Sequence, residues 1–531
     1  MKKYLIGILL TGLIMTSCSD QLEVTPPNNI TQEQIDELLK NGDEATRQLV
    51  FSGLVGGLPA RFRANVPNGE SVGRYNNAQG LDCMRNLEGN DVVFGDREPR
   101  SWGADEYMMR DLYSESAGKS VYYWDLGWEN INTANKLLTY LTPDIVGESA
   151  VLKQYKAVAL TVRAYYYNYL MENFQDAYMN GGSSKLGLMW YDTWNPLQPN
   201  KPRETAVQTY ANIKADIAEA VSLFNATIGY TASTEDVDLG VAAFTQARVA
   251  LCMGDWETVV AACDLILAKN SKLMTEDQYV QKLSRDTALY RADSTGFLNN
   301  ARNPEVLLGW SASNSAKTSG AWRNIFTSSY GGSEECFWRI DDRLYERIDD
   351  NDYRKDNFLT EPFGEYLYPP ESAGNTAYIP AYSNLKFAAM VGIGGGKDKA
   401  TNNQVCDYYM RVSEVLLMKA EAQAQSNNEA GARETLNLLL AARTKAGAPT
   451  LTCDNYLGAN GMTLMQLIQL QTRIEMWGER GLEFYNNKRW NIPVDRTSSK
   501  NHPSKITYPV NLMTMQIPKN ELDYNPLCEP N

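Results

Sequence analysis

The chain has 531 residues, with 50 Lys and Arg against 64 Asp and Glu and a formal charge of −14. That balance argues against a nucleic-acid partner, whose phosphates are neutralised by Lys and Arg. A single histidine, His502 in the loop-like stretch KNHPSK, speaks against Ser-His-Asp and Cys-His catalysis, and the scattered cysteines lack metal-ligand spacing.

The first element is MKKYLIGILLTGLIMTSCSD. Its apolar run, Leu5 to Met15, is 11 residues long. A bilayer-spanning helix needs about 20 residues, whereas a short basic n-region with such a run is the pattern of a secretory signal. Thr16-Ser17 before Cys18 resembles the lipobox of bacterial lipoproteins, with Met15 where Leu is usual. Cleavage there makes Cys18 the lipidated first residue, and several acyl chains, each buried CH₂ contributing about 0.8 kcal/mol, anchor the protein at a membrane surface. Removing residues 1–17 takes away Lys2 and Lys3 and no acids, leaving a charge of −16 (−14 − 2). Residues 19–30 carry two prolines and no apolar period, and read as a tether. Thr31-Gln32-Glu33-Gln34 resembles a capping box, and Ile35, Leu38 and Leu39 begin a helical stripe.

Residues 51–119 are rich in Gly, Asn, Arg and Asp and read as a long irregular segment, a feature that in a globular protein is usually functional or disordered. Helices follow. Apolar spacings of three and four predict them over Tyr122–Tyr140, Val151–Phe174, Thr205–Asn225 and Gly240–Met253. Gly254-Asp255-Trp256 then breaks the chain before a helix over Glu257–Ala268. Ala243, Ala247 and Ala250 allow close packing, and the pair resembles a tetratricopeptide unit. A second such unit spans 408–446, with Asn427-Asn428 as its break. Between the two, residues 271–405 are loop-rich. NPEVLLGWSAS (303–313) reads as a buried strand, and Trp310, Trp322, Tyr330 and Trp338 fall close together. GIGGGKDK (392–399) is a glycine-rich loop without the Lys-Ser/Thr and following helix of a phosphate cradle. The acids of DDRLYERIDDNDYRKD (341–356) alternate with Arg and Lys and read as a solvated, salt-bridged surface. The cysteines read as buried small residues, with a Cys252–Cys263 bridge left open.

Several separated segments then resemble the SusD/RagB family of outer-membrane nutrient-binding lipoproteins. They are WENINTANKLL (128–138), YKAVALTVRAYYYNYLMENF (155–174), NPEVLLGW (303–310), NDYRKDNF (351–358), YYMRVSEVLLMKAEA (408–422), RIEMWGERGLEFYNNKRW (473–490) and IPKNELDYNPL (517–527). Two departures stand out: Arg480 occupies a position where Gly is usual, and Asn486-Asn487 replace an acid before Lys488. The resemblance implies a mostly α fold. Tetratricopeptide-type helix pairs, mainly in 120–270 and 406–490, form a scaffold, and a loop-rich half from 51–119 and 271–405 packs on it within one domain, 31–531. It also implies surface display, no catalysis, no cofactor, and delivery of a captured glycan to a SusC-like TonB-dependent transporter. In the RagB branch the cargo is peptide.

The residues point the same way. A sugar presents hydroxyls and weakly apolar C–H faces, so it is met by aromatic faces plus polar side chains. Trp102, Tyr107, Trp322, Tyr330 and Trp338 are the stacking candidates, and Asp82, Asn90, Asp96 and Arg97 the polar ones. Trp124, Trp128, Trp256, Trp477 and Trp490 lie on helical stripes or signature segments and read as core. A glycoside hydrolase would need two carboxylates about 5–9 Å apart, and nothing in the sequence selects a pair. A bare tetratricopeptide scaffold would have short loops, unlike these.

Overall fold

The computed structural model describes residues 32–67, 69, 75, 77–94, 103–110, 115, 118–195, 197–280, 297, 303–310, 338–361, 381–387, 407–458 and 461–531. Cys18, the signal segment, the tether and the glycine-rich 392–399 loop lie outside them. The protein is mostly helical, built on α1 (Gln32–Asn41), α2 (Glu44–Val55), α3 (Ala78–Arg85), α4 (Gly118–Tyr140), α5 (Ala150–Phe174), α6 (Ala206–Asn225), α7 (Leu239–Met253), α8 (Trp256–Lys269), α9 (Val412–Gln425), α10 (Glu429–Ala442), α11 (Leu464–Glu475) and α12 (Leu482–Trp490). Among the described residues no helix is long and apolar enough to cross a membrane.

The two tetratricopeptide-like hairpins turn by the same device. Gly254 after α7 takes φ +74, and the next residue, Asp255, caps α8 by accepting from the Thr258 N–H. Asn427 after α9 takes φ +60, and Asn428 caps α10 by accepting from the Gly431 N–H. Gly and Asn are the residues that enter the left-handed region at least cost. Ala243, Ala247 and Ala250 are buried on α7, where their small size lets α8 approach. Consecutive helices then pack in an unbroken row: α4 on α5, α5 on α6, α6 on α7, α7 on α8, α8 on α9, and α9 on both α10 and α11. Residues 270–411 intervene between α8 and α9 without interrupting it.

Among the described residues, three short antiparallel strand pairs tie the rest together. β1 (Val92–Phe94) pairs with β3 (Trp338–Ile340), β2 (Val306–Trp310) with β4 (Asp407–Arg411), and β5 (Val494–Asp495) with β6 (Thr507–Tyr508). Of the buried strand expected at 303–313, residues 306–310 are strand, and 311–313 lie outside the described residues. Its partner comes from the start of the second hairpin, so residues 408–411 are strand and the helix begins at Val412. Segment 51–119 is less irregular than its composition suggests, since it contains the end of α2, all of α3 and β1.

The larger of two hydrophobic clusters among the described residues runs from Leu39 to Cys528. Trp124 and Trp477 are buried in it, Trp128 and Trp256 are half-buried at its edge, and Trp490 is half-buried. Cys83, Cys252, Cys263, Cys453 and Cys528 are free thiols, so Cys252 and Cys263 are not bridged. Burial pushes the Cys252 thiol up to about 12, helped by the Glu172 carboxylate beside it.

The acid-rich stretch 341–356 corrects its reading as a solvated surface. Asp341, Asp342, Asp352 and Arg354 are all buried. Arg354 and Asp352 belong to a charge network that draws on four signature segments. Glu475, at the end of α11, accepts from Arg354 at 3.0 Å, from Arg411 at 2.6 Å and from Arg443 at 2.9 Å. Glu305, just before β2, accepts from Arg411 at 2.9 Å and Arg443 at 2.6 Å. Glu479 accepts from Arg411 at 2.7 Å and Lys386 at 2.5 Å. Four cations (Arg354, Lys386, Arg411, Arg443) thus meet four anions (Glu305, Asp352, Glu475, Glu479), and the buried cluster is neutral. Burial pulls the Lys386 ammonium down to about 8 against the pull of Glu479. Glu305, Asp352, Arg354 and Lys386 come from 271–405, and Arg411, Arg443, Glu475 and Glu479 from the scaffold side, so the network joins the two halves.

The other signature residues are structural too. Arg163 donates to Asp216 at 2.7 Å and to Asn135 at 2.9 Å, linking α5 to α6 and α4. Glu421 of α9 accepts from Arg489 and from the Trp490 indole N–H, both at 2.9 Å. Arg480, where Gly is usual, has φ +50, and its guanidinium pairs with Glu414 and lies over the Tyr409 ring at 5.4 Å. Lys488, lacking an acid before it, donates to the Glu172 carbonyl at 2.8 Å and to the Gln175 carbonyl at 2.5 Å.

Candidate functional site

Trp102, Trp322, Tyr330, Asp96 and Arg97 lie outside the described residues. Tyr107, Trp338, Asn90 and Asp82 are described, and the first three correct the reading that assigned them to ligand.

Trp338 is fully buried. Strand pairing places it opposite Phe94, and the two rings meet edge to face at 6.4 Å. Tyr107 is also fully buried, with the Arg496 guanidinium 4.1 Å from its ring centroid and its hydroxyl on His502 Nδ1. The Asn90 amide donates to the Pro493 carbonyl at 3.2 Å and accepts from the Asp495 N–H at 2.7 Å. The Trp338 and Tyr107 rings are spent on the protein, as are the Tyr107 hydroxyl and the Asn90 amide. Asp82, on α3, is half-buried and accepts from the Tyr409 hydroxyl at 3.3 Å. It borders a cavity of about 30 Å³ lined also by Tyr165, Tyr169, Glu172, Arg248 and Arg480. That is room for ordered water, and far below the roughly 300 Å³ of a small-molecule pocket.

Tyr107, Trp338 and Asn90 nevertheless come together, at the base of the 95–102 segment that carries Asp96, Arg97 and Trp102. Phe94 lies within 6.4 Å of Trp338 and 6.3 Å of Tyr107. Gly103 closes the far end at φ +73, where a Cβ would sit 3.0 Å from Leu87 and 3.2 Å from the Phe94 ring. Arg496 donates to the carbonyls of Leu87 (2.8 Å), Gly89 (3.0 Å) and Tyr107 (2.6 Å), stapling both sides of the base.

His502 completes the base, and nothing in its sequence setting marked it. Its Nε2–H donates to the Asn90 carbonyl at 2.8 Å, so Nδ1 is the acceptor for the Tyr107 hydroxyl. Burial, then the Arg496 charge, holds the imidazole well below its usual range and therefore neutral. Because the folded value lies below the unfolded one near 6.5, this contribution is complete above that pH and is lost as pH falls beneath it. The stability advantage of the wild type over His502→Gln is expected to shrink between pH 7 and 5.5, by up to about 1.4 kcal/mol per pH unit. Urea melts of both proteins across that range check it, and an advantage independent of pH would show that the imidazole is not held neutral.

Among the described residues a larger cavity, about 350 Å³, opens between the α6–α7 connection, the end of α8 and the start of β2, lined by Tyr230, Thr234, Asp238, Lys269, Asn270 and Leu307. No group of three or more His, Cys, Asp or Glu able to hold a metal occurs among those residues.

The comparisons place this fold. A model described as the SusD family matches residues 340–526, and one described as starch-binding associating with outer membrane matches residues 90–251. No curated protein matches in sequence. A SusD-like carbohydrate binding protein from Bacteroides vulgatus superposes with TM-score 0.69 at 21% identity, over 91% of this chain and 97% of that one. A SusD superfamily protein from Bacteroides fragilis gives 0.64 at 20%, over 91% and 99%. Surface glycan-binding protein A from Bacteroides thetaiotaomicron, in complex with laminarihexaose, gives 0.62 at 17%, over 89% and 97%. At these identities the solved structures show the shared fold alone.

Proposed function

Because the chain belongs to the SusD/RagB family, we propose that it is a non-catalytic glycan-binding lipoprotein of the outer-membrane surface, which captures oligosaccharide and passes it to a SusC-like TonB-dependent transporter. The observation that carries this reading is the likeness of fold, over nearly the whole chain, to a surface glycan-binding protein solved with laminarihexaose. In it, residues 1–17 are the signal peptide, Cys18 the lipidated residue and 18–30 the tether of a single domain. The ligand loops are those of 51–119 and 271–405, with Trp102, Trp322 and Tyr330 as stacking residues and Asp96 and Arg97 as hydroxyl partners. The bases of these loops support the assignment, since Arg496, His502 and the Glu475 network fix where the segments leave the scaffold.

The test is calorimetric titration of the mature chain, with Cys18→Ser, against laminarihexaose, other oligosaccharides and a peptide panel. Saturable binding of a glycan is expected. Loss of one aromatic contact in Trp102→Ala or Trp322→Ala should weaken it about tenfold. Binding of peptides alone would overturn the glycan reading in favour of the peptide-binding branch.

A further inference from the structure

The aromatic residues assigned to ligand above lie in the loop-rich half. A second aromatic stretch, WYDTW (190–194), lies over the α4–α5 hairpin. Its main chain is fixed by side chains beneath it. The Tyr167 hydroxyl accepts from the Tyr191 N–H at 2.8 Å, and Asn135 donates to the Tyr191 carbonyl at 2.8 Å. Arg163 donates to the Asp192 carbonyl at 2.7 Å, and the Trp194 N–H donates to the Thr139 hydroxyl at 2.8 Å. The strap is therefore rigid before any ligand arrives, which lowers the ordering cost of binding.

Aromatic and polar side chains alternate along the strap; the Tyr191 ring packs edge to face on Trp128 at 5.8 Å, with the Lys201 ammonium 5.2 Å from its centroid. Tyr191 and Trp194 are half-buried, and Asp192 between them is exposed. The exposed Lys136 ammonium lies 5.4 Å from the Trp194 ring centroid. The surface continues through Lys201, whose N–H donates to the Tyr191 hydroxyl at 3.0 Å, to Asn200, whose amide donates to the Tyr524 carbonyl at 2.8 Å. Tyr524 is 83% exposed, at the end of the short surface helix Lys519–Tyr524. A carboxylate and an ammonium thus sit beside the Tyr191 and Trp194 rings, and Asn200 ties this stretch to the main chain of Tyr524, on a chain whose acidity offers nothing to a polyanion.

We propose that Tyr191, Asp192, Trp194 and Tyr524 form a second carbohydrate-contact surface, separate from the loop site. The rings meet the C–H faces of sugar units, while Asp192 and Lys136 meet their hydroxyls. It rests on the reading that the protein binds glycan. A long chain held at both surfaces gains avidity without any new contact at either.

The experiment uses the mature chain with Cys18→Ser and first identifies a binding oligosaccharide from the panel, beginning with laminarihexaose. Hydrogen exchange of the peptide covering 190–201 is then followed with and without that glycan and its polymer. Slowed exchange there is expected. Trp194→Ala should weaken polymer binding about tenfold, and Trp194→Phe should restore it, with an unchanged melting temperature in both. Residual binding in a Trp102→Ala, Trp322→Ala double variant, abolished by adding Trp194→Ala, would place the second surface apart from the first. A glycan that binds the wild type but leaves exchange over 190–201 and the Trp194→Ala affinity unchanged would overturn the inference alone. Binding of no glycan at all would overturn the underlying reading and the inference with it.

Discussion

Glu475→Gln is expected to destabilise the protein by about 3–5 kcal/mol, the cost of removing one partner from a buried ion cluster. Arg354, Arg411 and Arg443 would share one fewer negative charge in a site where Glu475 is fully buried. Single domains are typically stable by only about 5–15 kcal/mol, so the loss is a large fraction of the total. Chemical denaturation should show the midpoint shifted with little change in slope. The exposed pair Lys519–Asp523, at 2.7 Å, supplies the contrast: Lys519→Ala should leave the midpoint where it is. A Glu475→Gln midpoint equal to wild type would mean that the network is not what joins the halves. Acid makes the same test. Burial pushes the Glu475 and Glu479 carboxyls up, but the arginines outweigh it and hold both below their usual range, with Lys386 adding to the pull on Glu479. Their stabilisation is present above the unfolded value near 4.5 and is lost as pH falls through the lower folded values. Wild-type stability should therefore fall below about pH 4.5, more steeply than in a Glu479→Gln variant.

The second large effect is expected at Gly481→Ala. The turn between α11 and α12 holds Gly478 at φ +73, Arg480 at +50 and Gly481 at +65. A Cβ on Gly481 would lie 2.3 Å from Arg85 Cγ and 2.5 Å from Arg85 Cβ. Arg85 cannot readily give way: it is fully buried, donates to Asn173 at 2.5 Å, pairs with Glu88, and lies 4.4 Å from the Tyr123 ring centroid and 4.3 Å from that of Phe484. Left-handed backbone costs an alanine about 1–2 kcal/mol and overpacking about 1–3 kcal/mol more. Thermal melting should register both together. Gly181→Ala, also left-handed at φ +96 and with open space around the site, should register only the backbone share.

The helical scaffold was legible because its signals are local. Val151–Phe174 was expected and Ala150–Phe174 is found, and Gly254-Asp255 and Asn427-Asn428 mark the two hairpin turns. Residues 408–411 were missed as strand because their partner, Val306–Trp310, lies about a hundred residues earlier and only pairing reveals it. The run 341–356 looked like a surface because alternating charges usually are one. Its partners Arg443 and Glu475 are remote in sequence, and nothing local shows that Asp352 and Arg354 face inward. Tyr107, Trp338 and Asn90 were chosen as residue types suited to sugar, and type does not distinguish a stacking face from a core ring. The strap 190–194 was overlooked for the converse reason: Trp194 stands half-exposed beside Asp192 only because Asn135, Thr139, Arg163 and Tyr167 on two helices hold the main chain. The signature segments proved to be the structural parts, which is why they report the family and leave the ligand to other residues.

The central claim, capture without chemistry, is tested most directly by recovery of the bound sugar. The mature chain is incubated to equilibrium with the glycan that titrates most tightly, and the supernatant and eluate are resolved by chromatography. The account predicts saturable binding and quantitative return of intact oligosaccharide, with no shorter products over a day. Shorter products that scale with protein concentration would contradict it and make the protein a glycoside hydrolase.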